Sequence, residues 1–270
     1  LKVFFQDTFI NKSEKVMYKD QMGREVSVPK TPKRIVSLVP SQTELLVDLG
    51  LRDQLVGVTK FCVHPASLRK EKTIVGGTKN YRFDVIDELK PDLIIGNKEE
   101  NDQEGIEKLS ENYPVWISDV GDMSQALAMI SALGEITGKA TQAKVLVDKL
   151  ENSFADELPK LGTVVYLIWN HPIMAAGKGT FIHEMLGQAG FINAIDQDRY
   201  PEISMEELKR LNPDFLFLSS EPFPFKSKHL QEFEKELPKV KVRIVNGEMF
   251  SWYGSRLLKS QSYFDSLRES

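Results

Sequence analysis

Four histidines, one cysteine and a GKGT segment are the places where this sequence could begin to do chemistry, and none has the spacing that such chemistry requires. His64, His171, His183 and His229 are scattered, with no HxH or HExxH pair to bring two imidazoles onto one metal ion, so no dedicated metal site is expected. Cys62 is expected to be a buried thiol, since its nearness to His64 in sequence does not make a nucleophile and base pair. Gly177-Lys178-Gly179-Thr180 lacks the full phosphate-loop spacing and reads as a capped helix start. The first parallel strand is followed by no GxGxxG, and there is no GxSxG elbow. An enzyme built on this chain would have Lys60, His64 or Glu99 for proton transfer. The missing signatures favour binding over turnover, and no catalytic residue is expected.

Side chains suited to gripping a ligand are plentiful by contrast. They fall in loops that follow apolar runs: Pro40-Ser41-Gln42, Lys60 to His64, Gly76 to Asn80 and Asn97 to Glu100 in the first half. The second half offers Trp169-Asn170-His171, Gly177 to Thr180, Glu221-Pro222-Phe223 and Ser251 to Arg256. Aromatic faces with a few hydrogen-bonding groups suit a sizeable, partly apolar ligand. In open α/β sheets, ligands collect beyond the carboxyl ends of the strands.

Strand patterns alternate with helix patterns around those loops, which indicates mainly parallel sheet. Val16 to Val28 reads as a hairpin turning at Gly23; strands are expected at 35–39, 55–59, 93–96 and 115–118, and helices at 43–49, 83–89 and 104–109. After Pro159 the alternation resumes, with strands at 163–169, 215–219 and 242–245 and helices at 181–188, 204–211, 229–237 and 255–267. Leu89-Lys90-Pro91-Asp92 followed by an apolar run returns as Leu211-Asn212-Pro213-Asp214 followed by another. In each case Pro stops the preceding helix and the apolar run suits a strand covered on both faces. Two such units imply two lobes with a cleft between them. Eight residues before each Asp stands a carboxylate, Asp84 and Glu206, near the start of its helix.

Between the halves, Ala143, Val147, Leu150, Phe154 and Leu158 mark one face of a helix. A helix from about Lys139 to Leu158 would be roughly 30 Å long, enough to act as a strut. The expected fold is therefore α/β: two lobes with mainly parallel sheets, joined by a single long helix, with the ligand cleft between them. The N-terminal lobe is assigned to 16–138, the linking helix to 139–160 and the C-terminal lobe to 161–270, with a leader over 1–15.

A chain of 270 residues, 41% hydrophobic and 27% charged with a net charge of −4, gives no reason to expect nucleic acid or a membrane surface as partner. No apolar run approaches the roughly 20 residues that span a bilayer. A lone cysteine excludes an internal disulfide and leaves the redox compartment open. Leu1 to Lys15 has no signal-peptide pattern, and a translation start near Met17 would imply a cytoplasmic protein.

Pro32-Lys33-Arg34-Ile35-Val36-Ser37-Leu38-Val39-Pro40-Ser41-Gln42-Thr43-Glu44 and Leu55-Val56-Gly57-Val58-Thr59 resemble the ABC-importer substrate-binding proteins for cobalamin, haem and ferric siderophores, the group with a helical backbone. The resemblance runs from about Tyr18 to Leu267 and includes VGGTKN, LKPDLII, GKGTFIHEMLGQAGFIN, LNPDFLFL and SWYGSRLL. It implies two α/β lobes on one long helix, a large small-molecule ligand between them, an ABC permease as partner and a periplasmic or cell-envelope location. It implies no required cofactor, a monomer and no enzymatic activity. The pattern is nearest the cobalamin binders: Phe61 stands where they carry a cleft tyrosine and Tyr200 where they carry a cleft tryptophan. Asp84 and Glu206 stand where they carry the acids that dock onto permease arginines. Thr78 and Asn97 depart from the pattern, replacing tryptophans. Cobalamin is thus the first expected ligand, with haem or a ferric siderophore next. Phe61, Thr78, Lys79, Asn97, Trp169, Tyr200, Trp252, Tyr253 and Arg256 are the candidate contacts. For haem, His64, Tyr81 and Tyr253 are candidate axial ligands. The rival readings are a two-lobed enzyme and a cytoplasmic tetrapyrrole-handling protein.

Overall fold

The computed structural model describes residues 14–269; of the leader assigned to 1–15, all but Glu14 and Lys15 lies outside the described residues. The chain runs β1 (Lys15–Lys19), β2 (Glu25–Pro29), β3 (Ile35–Ser37), α1 (Pro40–Asp48), β4 (Leu55–Val58), α2 (Leu68–Glu71), β5 (Thr73–Ile74), α3 (Phe83–Leu89), β6 (Leu93–Asn97), α4 (Gln103–Ser110) and β7 (Val115–Ser118). It continues α5 (Met123–Ile136), α6 (Ala140–Ser153), β8 (Gly162–Trp169), β9 (Met174–Ala175), α7 (Phe181–Gln188), β10 (Phe191–Asn193) and α8 (Met205–Leu211). The last elements are β11 (Phe215–Ser219), α9 (Ser227–Glu236), β12 (Lys241–Val245), α10 (Glu248–Ser251) and α11 (Leu257–Glu269).

Two separate parallel sheets form the lobes. The first has the order β5-β4-β3-β6-β7, and the second β10-β8-β11-β12 with β9 antiparallel on β8. The β1–β2 hairpin stands apart as a two-stranded ribbon. Alternation along the strands explains the layering. Phe215 and Phe217 of β11 face the large central core while Leu216 and Leu218 face α8 and α9 through Leu208 and Phe233. In the first sheet Val36 and Ile94 face α3 and α4 through Ile86 and Leu109, while Ile35 and Ile95 face the central core.

The repeated Pro-Asp joint has one geometry in both lobes. Lys90 closes α3 and Asn212 closes α8, each in the left-handed region at φ 45° and 41°. Pro91 and Pro213 are buried and open β6 and β11. Asp92 accepts the backbone N–H groups of Lys33 and Arg34, both at 2.8 Å, which ties β6 to the start of β3. Asp214 accepts the N–H and hydroxyl of Thr163 at 2.7 and 2.9 Å, tying β11 to β8. Charge-assisted bonds to backbone groups fix the register of neighbouring strands.

The connection between the sheets differs from a single helix over 139–160. It is a pair of 14-residue helices, α5 and α6, packed on one another. Gly138, at φ 70°, turns the chain between them, and a side chain at Gly134 would collide with Ala143, so glycine there allows close packing. Phe154 ends α6, five residues before Pro159. A helix of this length spans only about 21 Å. Ala126, Met129, Ile130 and Leu133 of α5 and Ala143, Leu146 and Leu150 of α6 belong to the same buried cluster as Ile35 and Leu45 of one lobe and Tyr166, Phe217 and Phe250 of the other. The strut is thus a helical pair embedded in a core shared by both lobes. Sequence patterning also passed over α2, β5, β9, β10 and α10, which are all four residues or shorter and carry no readable period.

Candidate functional site

A cavity of about 600 Å³ lies between the sheets, beyond the carboxyl ends of β4, β6 and β11. The N-terminal lobe lines it with Pro40, Phe61, Val63, Thr78, Lys79, Asn97, Glu99, Glu100 and Val120. The C-terminal lobe supplies Phe181, Ile182, Tyr200, Glu221, Pro222, Glu248, Ser251, Trp252 and Tyr253. Rings from both sides therefore form its walls. A second, more open hollow of about 470 Å³ beside the β1–β2 hairpin is lined mainly by polar surface residues such as Lys15, Arg24 and Glu25, and has no comparable aromatic wall.

Local structure holds each wall in place. Gly76 sits at φ 115°, where a Cβ would collide with the Asn80 carbonyl, so the VGGTKN turn that presents Thr78 and Lys79 needs glycine there. The Tyr81 hydroxyl and the Asn101 amide both donate to the Thr78 carbonyl, at 2.7 and 2.8 Å. Asn97 is 2% exposed, and its amide oxygen accepts the N–H groups of Glu99 and Glu100 at 2.8 and 3.1 Å. Its amide nitrogen donates to the Ser118 hydroxyl at 3.0 Å. On the other side, Thr180 caps α7, which places Phe181 edge-on to Tyr253 at 5.7 Å.

Charged groups cross the cleft at two places. Arg199 and the Tyr200 hydroxyl both bond Glu99, the latter at 3.0 Å. Deeper in, Arg256 pairs with both oxygens of Glu44 at 2.7 and 2.8 Å and with Glu248 at 2.8 Å. His64 meets the same Glu248 at 3.0 Å. Trp252 lies between Arg256, 4.8 Å from its ring, and His64, 5.4 Å away edge-on, and its indole N–H donates to Glu221 at 2.9 Å. Burial, then the nearby Glu221, push the Glu100 carboxyl up to about 7, against a weaker pull from the Tyr253 hydroxyl. Burial also raises Glu221, offset in part by the Ser251 hydroxyl. The Tyr253 phenol is raised well above its ordinary value by burial and by Glu100.

Among the candidate contacts, Phe61, Thr78, Lys79, Asn97, Tyr200, Trp252 and Tyr253 come together on the cavity wall. Trp169 and Arg256 do not. Trp169 is 40% exposed, packs edge-on to Phe223 at 5.6 Å and donates to the His171 carbonyl. Arg256 is 5% exposed and is consumed by Glu44 and Glu248, so it orders the site from behind. Asn97 lines the cavity, yet both ends of its amide build the turn carrying Glu99 and Glu100. Asp84 and Glu206 are solvent-exposed in the first turns of α3 and α8, with no ion pair or side-chain hydrogen bond among the described residues. Glu100 and Glu221 fall in loops expected to meet a ligand but are absent from the candidate contacts, as are Glu248, Phe181 and Ile182. A signal for the first two existed: they follow Asp92 and Asp214 by eight and seven residues, just past equivalent strands. No group of three or more His, Cys, Asp or Glu suited to a metal ion occurs among the described residues. No described helix is long and apolar enough to cross a membrane.

The sequence profile of the family described as periplasmic binding protein matches residues 35–241, which include all of both sheets except its final strand's last residues. The chain belongs to the periplasmic binding protein family. Among proteins of known sequence, it is 29% identical over 209 residues to an ABC transporter substrate-binding lipoprotein of Bacillus subtilis strain 168, covering 72% of this chain and 66% of that protein. It is 24% identical over 241 residues to a vitamin B12-binding protein of Pectobacterium carotovorum, covering 84% of this chain and 85% of the relative. The fold is shared with the periplasmic haem-binding protein of Roseiflexus, at a TM-score of 0.76 and 19% identity over 88% of this chain and 98% of the other.

Proposed function

We propose that this protein is the substrate-binding component of an ABC importer and captures a large metal-containing cofactor or chelate between its lobes, with cobalamin the first ligand and haem or a ferric siderophore next. The observation that carries this reading is a single cavity walled by Phe61 from one lobe and Phe181, Tyr200, Trp252 and Tyr253 from the other. Flat, polarizable surfaces on two sides suit a macrocycle. The names of relatives, vitamin B12-binding and haem-binding, agree with that class. Cobalamin stands ahead of haem because the candidate axial ligands are engaged elsewhere. His64 Nε2 faces Glu248, the Tyr81 hydroxyl donates to Thr78 and the Tyr253 hydroxyl to Glu100. The protein works as a monomer in the periplasm or cell envelope and performs no catalysis.

Asp84 and Glu206, one on each lobe, would dock onto arginines of the membrane permease through charge-assisted pairs. Their exposure without internal partners leaves both carboxylates available. Titrating the purified protein with cyanocobalamin, haemin and a ferric siderophore, by visible spectra and calorimetry, tests the ligand class. Binding of at least one is expected; failure of all three below about 100 µM, equivalent to about 5.5 kcal/mol, would refute it. Charge reversal at Asp84 and Glu206 together is expected to abolish permease association and leave ligand affinity intact.

A further inference from the structure

The two lobes each place a carboxylate just past equivalent strands, Glu100 after β6 and Glu221 after β11, and both line the same cavity. Among the described residues four carboxylates line it, against Lys79 as the one cation. Two of the four have cations of their own: Glu99 has Arg199, and Glu248 has Arg256. Glu100 and Glu221 have no ion-pair partner among the described residues and are held only by neutral donors. The Tyr253 hydroxyl donates to Glu100 at 3.3 Å, and Ser251 and the Trp252 indole donate to Glu221 at 2.8 and 2.9 Å.

We propose that Glu100 and Glu221 act together as a charge filter, admitting ligands edged with amide or cationic groups and rejecting ligands edged with carboxylates. This rests on the binding reading above and narrows its ligand class. An ionised carboxylate in a cavity walled by aromatic rings accepts hydrogen bonds from amide N–H groups, and a protonated one donates to an amide carbonyl. An amide satisfies either state. A ligand carboxylate can only accept, so it is repelled by any ionised partner and must shed its own hydration to enter. Burial raises both carboxyls; the negative field of Glu221 adds to the rise at Glu100, and that of Glu248 to the rise at Glu221. Lys79 is exposed and weakens that field without cancelling it. Corrinoids, whose peripheral chains end in primary amides, satisfy the filter. Haem, with two propionates, does not.

The test compares cyanocobalamin with its mono-acid isomers, in each of which one peripheral amide has been hydrolysed to a carboxylic acid, by calorimetry on the full chain at pH 7.5. At least one isomer is expected to bind about tenfold or more weakly than cyanocobalamin. The E100Q/E221Q double variant is expected to bring that isomer to within about twofold of the parent. Equal affinity of every isomer for the wild type, or an undiminished gap in the double variant, overturns the filter. Should the double variant fail to fold, wild type from pH 6 to pH 8 provides the second measurement. The gap must widen as Glu100 loses its proton, and a constant gap overturns the proposal. If cyanocobalamin does not bind, the corrinoid reading fails separately, and haemin against its dimethyl ester carries the same comparison. Tighter binding of the ester upholds the filter; equal binding, or binding of neither, overturns it.

Discussion

In the N-terminal lobe, Lys90 ends α3 in the left-handed region and Asp92 holds the N–H groups of Lys33 and Arg34; in the C-terminal lobe Asn212 ends α8 likewise and Asp214 holds Thr163. The joints match, but the surfaces beyond them do not. The N-terminal lobe meets the cleft with a polar turn built by Asn97, Ser118 and Asn101 and with the single ring of Phe61. The C-terminal lobe meets it with Phe181, Tyr200, Trp252 and Tyr253, backed by a buried aromatic cluster that includes Tyr166, Phe217 and Phe250. A repeated scaffold thus fixes where the two surfaces stand, and divergent loops decide what each offers. The frame and the site can change independently.

The comparison breaks most readily where the lobes are pinned together. Arg256→Met leaves Glu44, whose side chain is 7% exposed, with only the longer 3.5 Å contact to Lys259, and should cost up to about 3–5 kcal/mol in denaturant unfolding. Arg199→Met removes the ion pair of the other crossing, whose arginine side chain is 51% exposed, leaves the Tyr200 bond to Glu99, and should cost under about 1 kcal/mol. Similar costs for the two would mean that the deep pair is not the main pin between lobes.

Glu100 sharpens the contrast between cleft and frame through pH. Its carboxyl is raised in the folded state, to about 7, so the stability it lends is full below its ordinary value of 4.5 and is lost as pH rises through about 7. Glu100→Gln should therefore gain on the wild type as pH rises, by on the order of 2 kcal/mol at pH 8 and by little at pH 4. Thermal melts across that window check it, and a pH-independent difference would show that burial does not disfavour the ionised form.

Within the frame, Asp92→Ala should cost about 1–2 kcal/mol because two backbone N–H groups lose their acceptor. Asp214→Ala should cost somewhat more, since Thr163 is half-buried whereas Lys33 and Arg34 are exposed, so water replaces the lost acceptor less readily at Thr163. Equal losses would show that the two joints carry equal loads. The smallest effect is a gain: Lys90→Gly should stabilise by about 0.5–1 kcal/mol, and Asn212→Gly by less, because Asn tolerates the left-handed region better.

Much of the frame was legible because long apolar strands, Pro-Asp joints and capped helices leave local marks. Residues 83–89, 181–188 and 215–219 carry the expected elements to the residue. The strut was harder: the apolar stripe on α6 continues past its end to Leu158, whereas the helix stops at Phe154, and α5 has apolar residues on most faces with no clean period. The cleft was legible at its aromatic residues. Its acids were not singled out, because whether a glutamate is solvated or enclosed depends on the opposite lobe. Arg256 went astray for the same reason: its partner Glu44 lies 212 residues away.

The most direct measurement is the affinity for cyanocobalamin of the wild type, Phe61→Ala and Tyr200→Ala, by calorimetry. If one ligand lies between the lobes, each single substitution should weaken binding about five- to tenfold, because each strips one wall of the same cavity. Tight wild-type binding that is indifferent to one of the two substitutions would place the ligand on a single lobe and contradict the account.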